Sequence, residues 1–322
     1  MIRANRPNRG VLSLLASSQR TDGAMLDEQS LLIARSVRNK PATGGLCNEA
    51  NSTLSELAFI GLGLSNERSI SLQGLDLARE SDCVFAEFYT SLMPQLDLKE
   101  LEELVGKPIE LLKRTDVEEY AQQRILGKIR GKKAVLLVPG DPMMATTHID
   151  LRLRAEKAGI KTRVIPGASI FSAVCAATGL QAYRFGRTVT VPHTESGRPP
   201  ESPYDHIKTN LGNGLHTLTL LDIVAERNYY MPIREGLEYL LQIELNRKES
   251  VIHDNRIVVG VARAGASDET VRTGVINELL RYDFGGPPHC LVVPSKLHFM
   301  EAEALQVLTE AKPELLKPYM LT

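Results

Sequence analysis

The sequence has few cysteines and no strong excess of charge, and both features exclude classes of protein. Its 322 residues include only four cysteines, at positions 47, 83, 175 and 290, and none of them forms a C-x-x-C pair. That spacing argues against a disulfide framework or a cysteine zinc site and fits the reducing cytosol, so we expect a cytoplasmic protein. The formal net charge of -1 gives no broad field to attract nucleic acid or a membrane surface. No apolar run approaches the length that spans a bilayer.

The sequence also lacks the signature motifs of several large enzyme classes. It contains no G-x-x-x-x-G-K-[ST] phosphate loop, no H-E-x-x-H zinc motif and no G-x-S-x-G nucleophile elbow. Its seven histidines do not cluster at metal-ligand spacings, and a lone histidine such as His148 or His289 is more often structural. We therefore expect no metal, and a reaction whose driving force resides in a cofactor that the protein positions. Methyl transfer from a sulfonium is one such reaction.

Residues 1–54 differ in composition from the rest of the chain. Six Arg and one Lys against four acids give them a formal charge of +3, which leaves -4 for the remainder. The apolar run at residues 11–16 is too short for a secretory signal, and Asp22, Asp27 and Glu28 argue against a targeting peptide. We expect an N-terminal extension that is disordered, or a reading frame that starts too far upstream, and we assign it no function.

Strand and helix patterns alternate along the remaining residues, which is typical of the α/β class. The pattern predicts strands at residues 57–64, 83–87, 109–112, 134–138, 161–165, 188–191, 216–221, 257–262 and 289–293. It predicts helices at 72–80, 96–105, 117–129, 149–157, 170–177, 205–211, 234–245 and 299–308, with 271–283 helical at least in part and 195–203 an exposed loop. The Pro-Gly-Ala break at 166–168 separates two such runs. We therefore predict two α/β domains, residues 55–166 and 167–322.

The most informative stretch is AVLLVPGDPMMATTH at residues 134–148, where a buried strand runs through a tight turn into a helix. Pro142 keeps Asp141 out of helical geometry, which fixes a carboxylate at the carboxyl edge of a sheet, where open α/β sheets bind ligands. The alternative is a plain turn in which Asp141 bonds its own backbone. The earlier loop Gly61-Leu62-Gly63 does not complete G-x-G-x-x-G, so its glycines serve either strand packing or close approach to a ligand.

Polar or small residues follow several other predicted strands. The acid and the hydroxyls of AEFYTS, residues 86–91, either line a cleft or form a satisfied polar cluster under a loop. Ser169 is expected to cap the helix after the 166–168 break. Strand ends with such loops occur at Leu64, Asp141, Ser169, Asp222, Ala264 and His289. If both sheets point these ends at a shared cleft, the ligand lies between the two domains.

From residue 57 to near the C terminus, the sequence resembles the diphthine synthase family, a branch of the tetrapyrrole-methylase-like enzymes that use S-adenosylmethionine. The resemblance is carried by FIGLGL (59–64), ISLQGL (70–75), AEFYTS (86–91), PGDPMMATTH (139–148), ASIFSAV (168–174), GLHTLTLLDI (214–223), ARAGAS (262–267) and GGPPHCLVVPSKLHFMEAEAL (285–305). AEFYTS and GDP-x-x-ATTH together are highly specific, whereas a single GxG or GDP is not. Residues 1–54 have no counterpart in the family.

The resemblance implies two α/β domains with S-adenosyl-L-methionine in the cleft between them, and a homodimer. It implies successive methylation of the amino group on the modified histidine of translation elongation factor 2, which gives diphthine. The family's cofactor contacts map by motif onto Leu64, Asp141, Met144, Ser169, Ile170, Leu221, Ala264 and His289, with Met144 acting through its backbone more than its side chain. No catalytic residue is assigned.

Several alternatives stay open at the level of sequence. Arg184, Arg187 and Arg263 either meet an acidic substrate or are solvated surface charges. A methyltransferase of the same fold that acts on a tetrapyrrole or on ribosomal RNA is the alternative activity. The near-neutral charge argues against RNA, and the AEFYTS string favours the protein substrate. From a different class, the chain is a non-catalytic scaffold that binds elongation factor 2 or the cofactor without turnover.

Overall fold

The computed structural model describes residues 55–194 and 199–321. The predicted N-terminal extension, residues 1–54, lies outside the described residues, and so do residues 195–198 of the loop predicted at 195–203. None of the helices within the described ranges is both long and apolar enough to cross a bilayer.

The first half of the described chain forms a five-stranded parallel sheet. Its strands are β1 (Glu56–Gly61), β2 (Cys83–Glu87), β3 (Glu110–Leu112), β4 (Lys133–Val138) and β5 (Lys161–Ile165). They lie in the order β3-β2-β4-β1-β5, and each pair of neighbours runs parallel. Because both faces of a parallel sheet are covered, β1 and β4 are almost continuous runs of buried apolar residues. The carboxyl ends of all five strands meet at one edge.

Helices cover both faces of this sheet. They are α1 (Leu72–Glu80), α2 (Leu98–Val105), α3 (Arg114–Glu118) and α4 (His148–Lys157). The side chain of Ser71 accepts the backbone N–H of Gly74 at 3.1 Å, so the predicted cap at the start of α1 is confirmed. Gly106 ends α2 with a left-handed φ of 77°, which a residue with a Cβ adopts only with strain.

The prediction of one continuous helix over residues 117–129 is wrong. The helix α3 ends at Glu118, and a π-helical turn follows at Gln122–Leu126. There the N–H of Gly127 bonds the carbonyl of a residue five positions earlier, at 2.9 Å. The adjacent side chains Ile125 and Leu126 are both buried, in the core cluster that also holds Val117 and Ala121. The predicted apolar positions are therefore buried although the backbone pattern differs.

The second half of the described chain carries a mixed sheet and a small hairpin. Its strands are β6 (Val189–Val191), β7 (Thr217–Leu221), β8 (Ile223–Val224), β9 (Tyr229–Tyr230), β10 (Ile257–Ala262), β11 (Thr270–Val275) and β12 (His289–Val293). The mixed sheet has the order β11-β10-β12-β7-β6, with β6 parallel to β7 and the other neighbours antiparallel. The hairpin of β8 and β9 follows β7 directly and was not predicted from the sequence.

Six helices in the described ranges accompany the second sheet. They are α5 (Ile170–Thr178), α6 (Ser202–Gly212), α7 (Ile233–Arg247), α8 (Ile276–Leu279), α9 (Phe299–Thr309) and α10 (Pro313–Leu316). The strands of the first sheet all precede residue 166, and those of the second all follow residue 188. The division of the chain into domains at residue 166 itself stays a prediction.

The prediction that residues 271–283 are helical holds only for α8, because the first part of this range belongs to β11. Val271 and Val275 have helical spacing, but the Thr and Val residues that dominate β11 are β-branched and favour a strand. The strand pairs with β10 over its whole length, from Thr270 opposite Ala262 to Val275 opposite Ile257. The open edge of β10 therefore decides the conformation of this segment.

Candidate active site

Loops at the edges of both sheets border a cavity of about 290 Å³. From the first sheet, loops after β1, β2 and β4 line it, and from the second sheet residues near the ends of β7, β10 and β12 do so. The structure brings together all eight residues that the sequence marks as cofactor contacts: Leu64, Asp141, Met144, Ser169, Ile170, Leu221, Ala264 and His289. That these residues hold a ligand stays a prediction.

The mixed directions of the second sheet explain why Leu221, Ala264 and His289 meet. Leu221 ends β7 and Ala264 follows β10, whereas His289 begins β12. Because β12 runs antiparallel to both neighbours, its first residues lie beside the last residues of those strands. A strand start and two strand ends therefore share one edge of the sheet.

Three glycine backbones cross where the first sheet meets the cavity. A Cβ at Gly61 would lie 2.5 Å from both the carbonyl oxygen of Gly140 and the nitrogen of Gly167. Gly63 and Gly140 exchange two backbone hydrogen bonds, with N···O distances of 3.2 and 2.6 Å. Both have positive φ, and both line the cavity. Gly61 therefore serves strand packing, and Gly63 belongs to the cavity wall.

Both interpretations of Asp141 apply in part. Its Oδ1 accepts the N–H of Met143 at 2.9 Å, so it does bond its own turn. Its Oδ2 accepts the N–H of Gly167 at 3.2 Å, which ties the turn to the 166–168 break. The carboxylate also borders the cavity, and each oxygen has a second lone pair free to accept a donor.

The start of α5 presents Ser169, Ile170 and Phe171 to the cavity. Ser169 is the N-cap residue of α5, as predicted, but its side chain forms no capping hydrogen bond. Its backbone carbonyl already accepts the N–H of Ser172 at 3.1 Å, which is the group that a capping hydroxyl would take. Met144, in the loop after β4, also lines the cavity and is 43% exposed, which leaves its side chain adaptable.

His289 carries an unpaired acceptor on the cavity wall. Its Nε2 lies 2.9 Å from the carbonyl oxygen of Gly286, and because a carbonyl only accepts, Nε2 holds the proton. Its Nδ1 is then an acceptor, and it is buried without a hydrogen-bond partner among the residues described. Burial lowers the pKa of His289, which favours the neutral ring. An N–H or O–H donor on a ligand would satisfy this nitrogen.

Arg263 is not a solvated surface charge, so that interpretation of the residue is wrong, and its donors bond to groups within the protein. It is buried, and its Nη1 donates to the carbonyl of Phe284 at 2.7 Å and to that of Gly286. Its Nε and Nη2 both bond Asp268, through a side-chain oxygen at 2.7 Å and the carbonyl at 2.9 Å. The guanidinium therefore holds the loop that leads into His289. Its planar set of N–H donors is suited to bonding several oxygens at once.

The two other arginines differ from Arg263. Arg184 is half-buried, with its Nε 3.3 Å from a carboxylate oxygen of the fully buried Glu301. Arg187 is exposed, as expected for a solvated charge. Neither arginine lines the cavity.

The strings AEFYTS and ATTH meet at a buried pair, Glu87 and His148. Both side chains are fully buried, and Oε1 of Glu87 lies 3.5 Å from Nε2 of His148. The hydroxyl of Tyr89 lies 3.4 Å from the same nitrogen. Burial raises the pKa of Glu87 to about 7 and lowers the pKa of His148. Glu87 is thus a buried acid with hydrogen-bond partners inside the protein, whereas Tyr89 lines the cavity.

Sequence reasoning missed Arg114, which also lines the cavity. Its guanidinium carbon lies 4.8 Å from the ring centroid of Tyr89, and the side chain pairs with Glu118 at 3.4 Å. It also approaches Glu226, in the turn that joins β8 and β9, at 3.6 Å. Arg114 follows the carboxyl end of β3, so the strand-end rule applied to the other loops would have found it. Its partner Glu226 is 112 positions away, and no local pattern indicates that contact.

Within the described ranges, no group of three or more His, Cys, Asp or Glu side chains is arranged to hold a metal ion. The cavity wall consists of backbone, small and apolar residues, several hydroxyls and a few polar groups. Such a wall is suited to binding and orienting reactants in an environment of low polarity.

Comparison with known proteins gives the same family from sequence and from structure. The family model for Tetrapyrrole (Corrin/Porphyrin) Methylases matches residues 56–280. The chain is 50% identical over 256 residues to a diphthine synthase of Methanocella arvoryzae, with 80% of this chain and 99% of the relative covered. It is 47% identical over 266 residues to one of Methanosarcina mazei, with 81% and 98% covered.

Among solved structures, a crystal structure of diphthine synthase is similar to this chain with a TM-score of 0.73 and 41% identity, covering 82% of this chain and 99% of that one. The chain therefore belongs to the tetrapyrrole methylase family and, within it, to the diphthine synthases, and it is a methyltransferase.

Proposed function

We propose that the chain transfers methyl groups from S-adenosyl-L-methionine to the amino group of the modified histidine of translation elongation factor 2, in successive steps that give diphthine. The similarity to diphthine synthases supports this substrate. The observation that carries the proposal is that the two most specific strings, AEFYTS and GDP-x-x-ATTH, contribute to the wall of one cavity.

The cavity wall fits S-adenosylmethionine, whose contacts we propose to be the eight residues named from the sequence. The adenine amino group, ribose hydroxyls and ammonium of the cofactor are donors, and the wall offers acceptors in Asp141 and in Nδ1 of His289. Gly63 and Gly140, which lack side chains, let the cofactor approach the backbone closely. When bound, the cofactor supplies an electrophilic methyl carbon on its sulfonium.

The apolar part of the wall serves the reaction by excluding water. Leu64, Ile170, Leu221 and Ala264 come from four separate segments of the chain and line the cavity with hydrocarbon. A nucleophilic amine that loses its hydration shell there attacks more readily, and the reacting atoms are held in one orientation. The protein's contribution is thus mainly position and environment.

Transfer of a radiolabelled methyl group onto elongation factor 2 that carries the unmethylated precursor tests the function. We expect label in the factor and none in factor that lacks the histidine modification. Cofactor binding without transfer would leave a non-catalytic scaffold. Label in ribosomal RNA or in a tetrapyrrole would establish the alternative activity instead.

We also propose that the chain acts as a homodimer in the cytoplasm, with neither nucleic acid nor a membrane as a partner. The support is the family resemblance, the near-neutral charge and the scattered cysteines. Sedimentation equilibrium of the purified chain tests the dimer, and a monomer at micromolar concentration would contradict it.

A further inference from the structure

The carboxylate of Glu87 divides its two oxygens between different tasks. Its Oε2 accepts the backbone N–H groups of Tyr89 at 2.9 Å and Thr90 at 3.1 Å, which hold it in place. Its Oε1 instead faces two side chains, the hydroxyl of Thr90 at 2.5 Å and Nε2 of His148 at 3.5 Å. Only Oε1 is therefore placed to gain or lose a proton through a side chain.

Thr90 connects this buried oxygen to the cavity. Thr90 lines the cavity, whereas Glu87 lies behind the cavity wall and is 1% exposed. While Glu87 is ionised, the Thr90 hydroxyl donates to Oε1 and keeps a lone pair to accept a proton. When Glu87 is protonated, Oε1 donates to Thr90 and frees the hydroxyl proton to turn away. The hydroxyl is thus a switchable link between cavity and carboxylate.

His148 biases this link toward holding a proton. Its Nδ1 lies 3.0 Å from the carbonyl oxygen of Pro142, so Nδ1 carries the proton and Nε2 presents a lone pair to Glu87. The lone pair of Nε2 repels an ionised Oε1. This repulsion favours the protonated form of Glu87. Among the charged groups of α3, Arg114 favours the ionised form of Glu87 and is itself paired with Glu118 at 3.4 Å.

We propose that Thr90 and Glu87 form the acceptor for the proton that the substrate amine must lose before each methyl transfer, with Thr90 as the contact and Glu87 and His148 as positioning residues behind it. This inference rests on the proposed function, since it assumes an amine substrate. It explains how successive methylation proceeds in a cavity that excludes water.

Each cycle moves one proton from the substrate nitrogen to Glu87 and conserves every electron pair. An N–H bond of the substrate ammonium breaks, its proton joins the oxygen of Thr90, and the hydroxyl proton of Thr90 passes to Oε1 of Glu87. The nitrogen keeps the electron pair, which forms the new N–C bond, and the pair of the broken C–S bond stays on sulfur. After transfer, Glu87 returns its proton to solvent through Thr90.

The acidity of the buried carboxyl suits this task. Burial raises the pKa of Glu87 to about 7, between the usual value of a carboxylic acid and that of an alkyl ammonium. An acceptor in this range takes a proton from an ammonium without a prohibitive loss and releases it near neutral pH. Tyr89 stays neutral beside this pair, because burial raises the pKa of its phenol.

The test compares four variants of the full chain in methyl transfer to the precursor-bearing factor, at saturating cofactor, from about pH 5 to 9. Thr90→Val removes the hydroxyl at nearly constant size, and Thr90→Ser restores it. Glu87→Gln keeps the acceptor oxygen for the backbone N–H groups but takes no proton. Glu301→Gln is the matched control, because Glu301 forms a similar buried pair with His216, at 3.1 Å, away from the cavity.

We expect kcat of the wild-type chain to rise with pH around 7, as Glu87 becomes ionised. Thr90→Val and Glu87→Gln should lower kcat by about 100-fold and remove that inflection, so that the rate follows the free amine up to high pH. Thr90→Ser should restore kcat to within a few-fold with the inflection present. Cofactor affinity by calorimetry should change little in any variant, and Glu301→Gln should keep the wild-type profile.

A wild-type pH profile in Thr90→Val, or the same loss in Glu301→Gln, would overturn the inference and leave the proposed function intact. Cofactor binding without any transfer by the wild-type chain would instead overturn the function, and the inference with it. If Glu87→Gln fails to fold, the Thr90→Val and Thr90→Ser pair still decides the question.

Discussion

At the scale of single residues, the burial of Glu87 has a cost in stability that depends on pH. Its folded pKa of about 7 lies above the ordinary value of 4.5 in the unfolded chain. The unfolded chain therefore loses this proton first as the pH rises, so the stability contributed below pH 4.5 is lost progressively up to pH 7. A shift of this size corresponds to about 3 kcal/mol.

Glu87→Gln should therefore raise the free energy of unfolding above neutral pH while changing it little under acidic conditions. The amide mimics the protonated acid and cannot ionise, so the difference from the wild-type chain should grow by up to about 3 kcal/mol between acidic and neutral pH. Urea unfolding as a function of pH measures this difference. A constant difference at all pH values would show that folding leaves the pKa of Glu87 unchanged.

His289 offers a residue-scale test of the cofactor site. We expect His289→Phe to weaken S-adenosylmethionine binding by about tenfold, because the ring then lacks the Nδ1 acceptor that a ligand donor would pair with. Calorimetric titration gives the dissociation constant. His206→Phe is the matched control, since that histidine does not line the cavity, and equal losses in both variants would remove His289 from the site.

At the scale of elements, the crossing of three backbones positions the loops after β1, β4 and β5. Gly61→Ala should destabilise the fold by about 3 kcal/mol, because its new Cβ would meet backbone atoms of Gly140 and Gly167, which cannot rotate away. The matched control is Gly212→Ala in α6, where a Cβ meets nothing within 4 Å, and there we expect a change within about 0.5 kcal/mol. Denaturant unfolding of both variants measures the contrast, and similar stabilities would mean that the loops separate easily.

Elements with a strong local signal were predictable from the sequence, and those decided by a partner were not. Ser71 and Gly106 mark their helix ends through local backbone chemistry, and the structure agrees. By contrast, β11 depends on the open edge of β10, which no short window of sequence shows. The π-helical turn left no trace in the apolar spacing, which is compatible with a regular helix.

The same distinction applies to the candidate site. The strand-end rule and the family resemblance together named eight residues that line one cavity. The contact of Tyr89 with His148 joins positions 59 apart, and Arg263 is buried by a loop more than 20 residues downstream. Long-range contacts of this kind determine whether a charged or aromatic residue is solvated, and periodicity carries no information about them.

At the scale of the whole molecule, the cavity draws on both sheets, so its ligand should stabilise both together. We expect S-adenosylmethionine at about 100 times its dissociation constant to add roughly 2.7 kcal/mol and to raise Tm by roughly 5 °C. Differential scanning calorimetry should show one transition that moves as a unit. Two transitions, of which only one responds to the cofactor, would assign the site to a single sheet.

The structure of the chain in complex with S-adenosylhomocysteine tests the central claim most directly, namely that loops of both sheets form one cofactor site. We predict that the ligand lies in the cavity and contacts Leu64, Asp141, Ser169, Ala264 and His289. Ligand density elsewhere, or density that touches residues of only one sheet, would contradict the account.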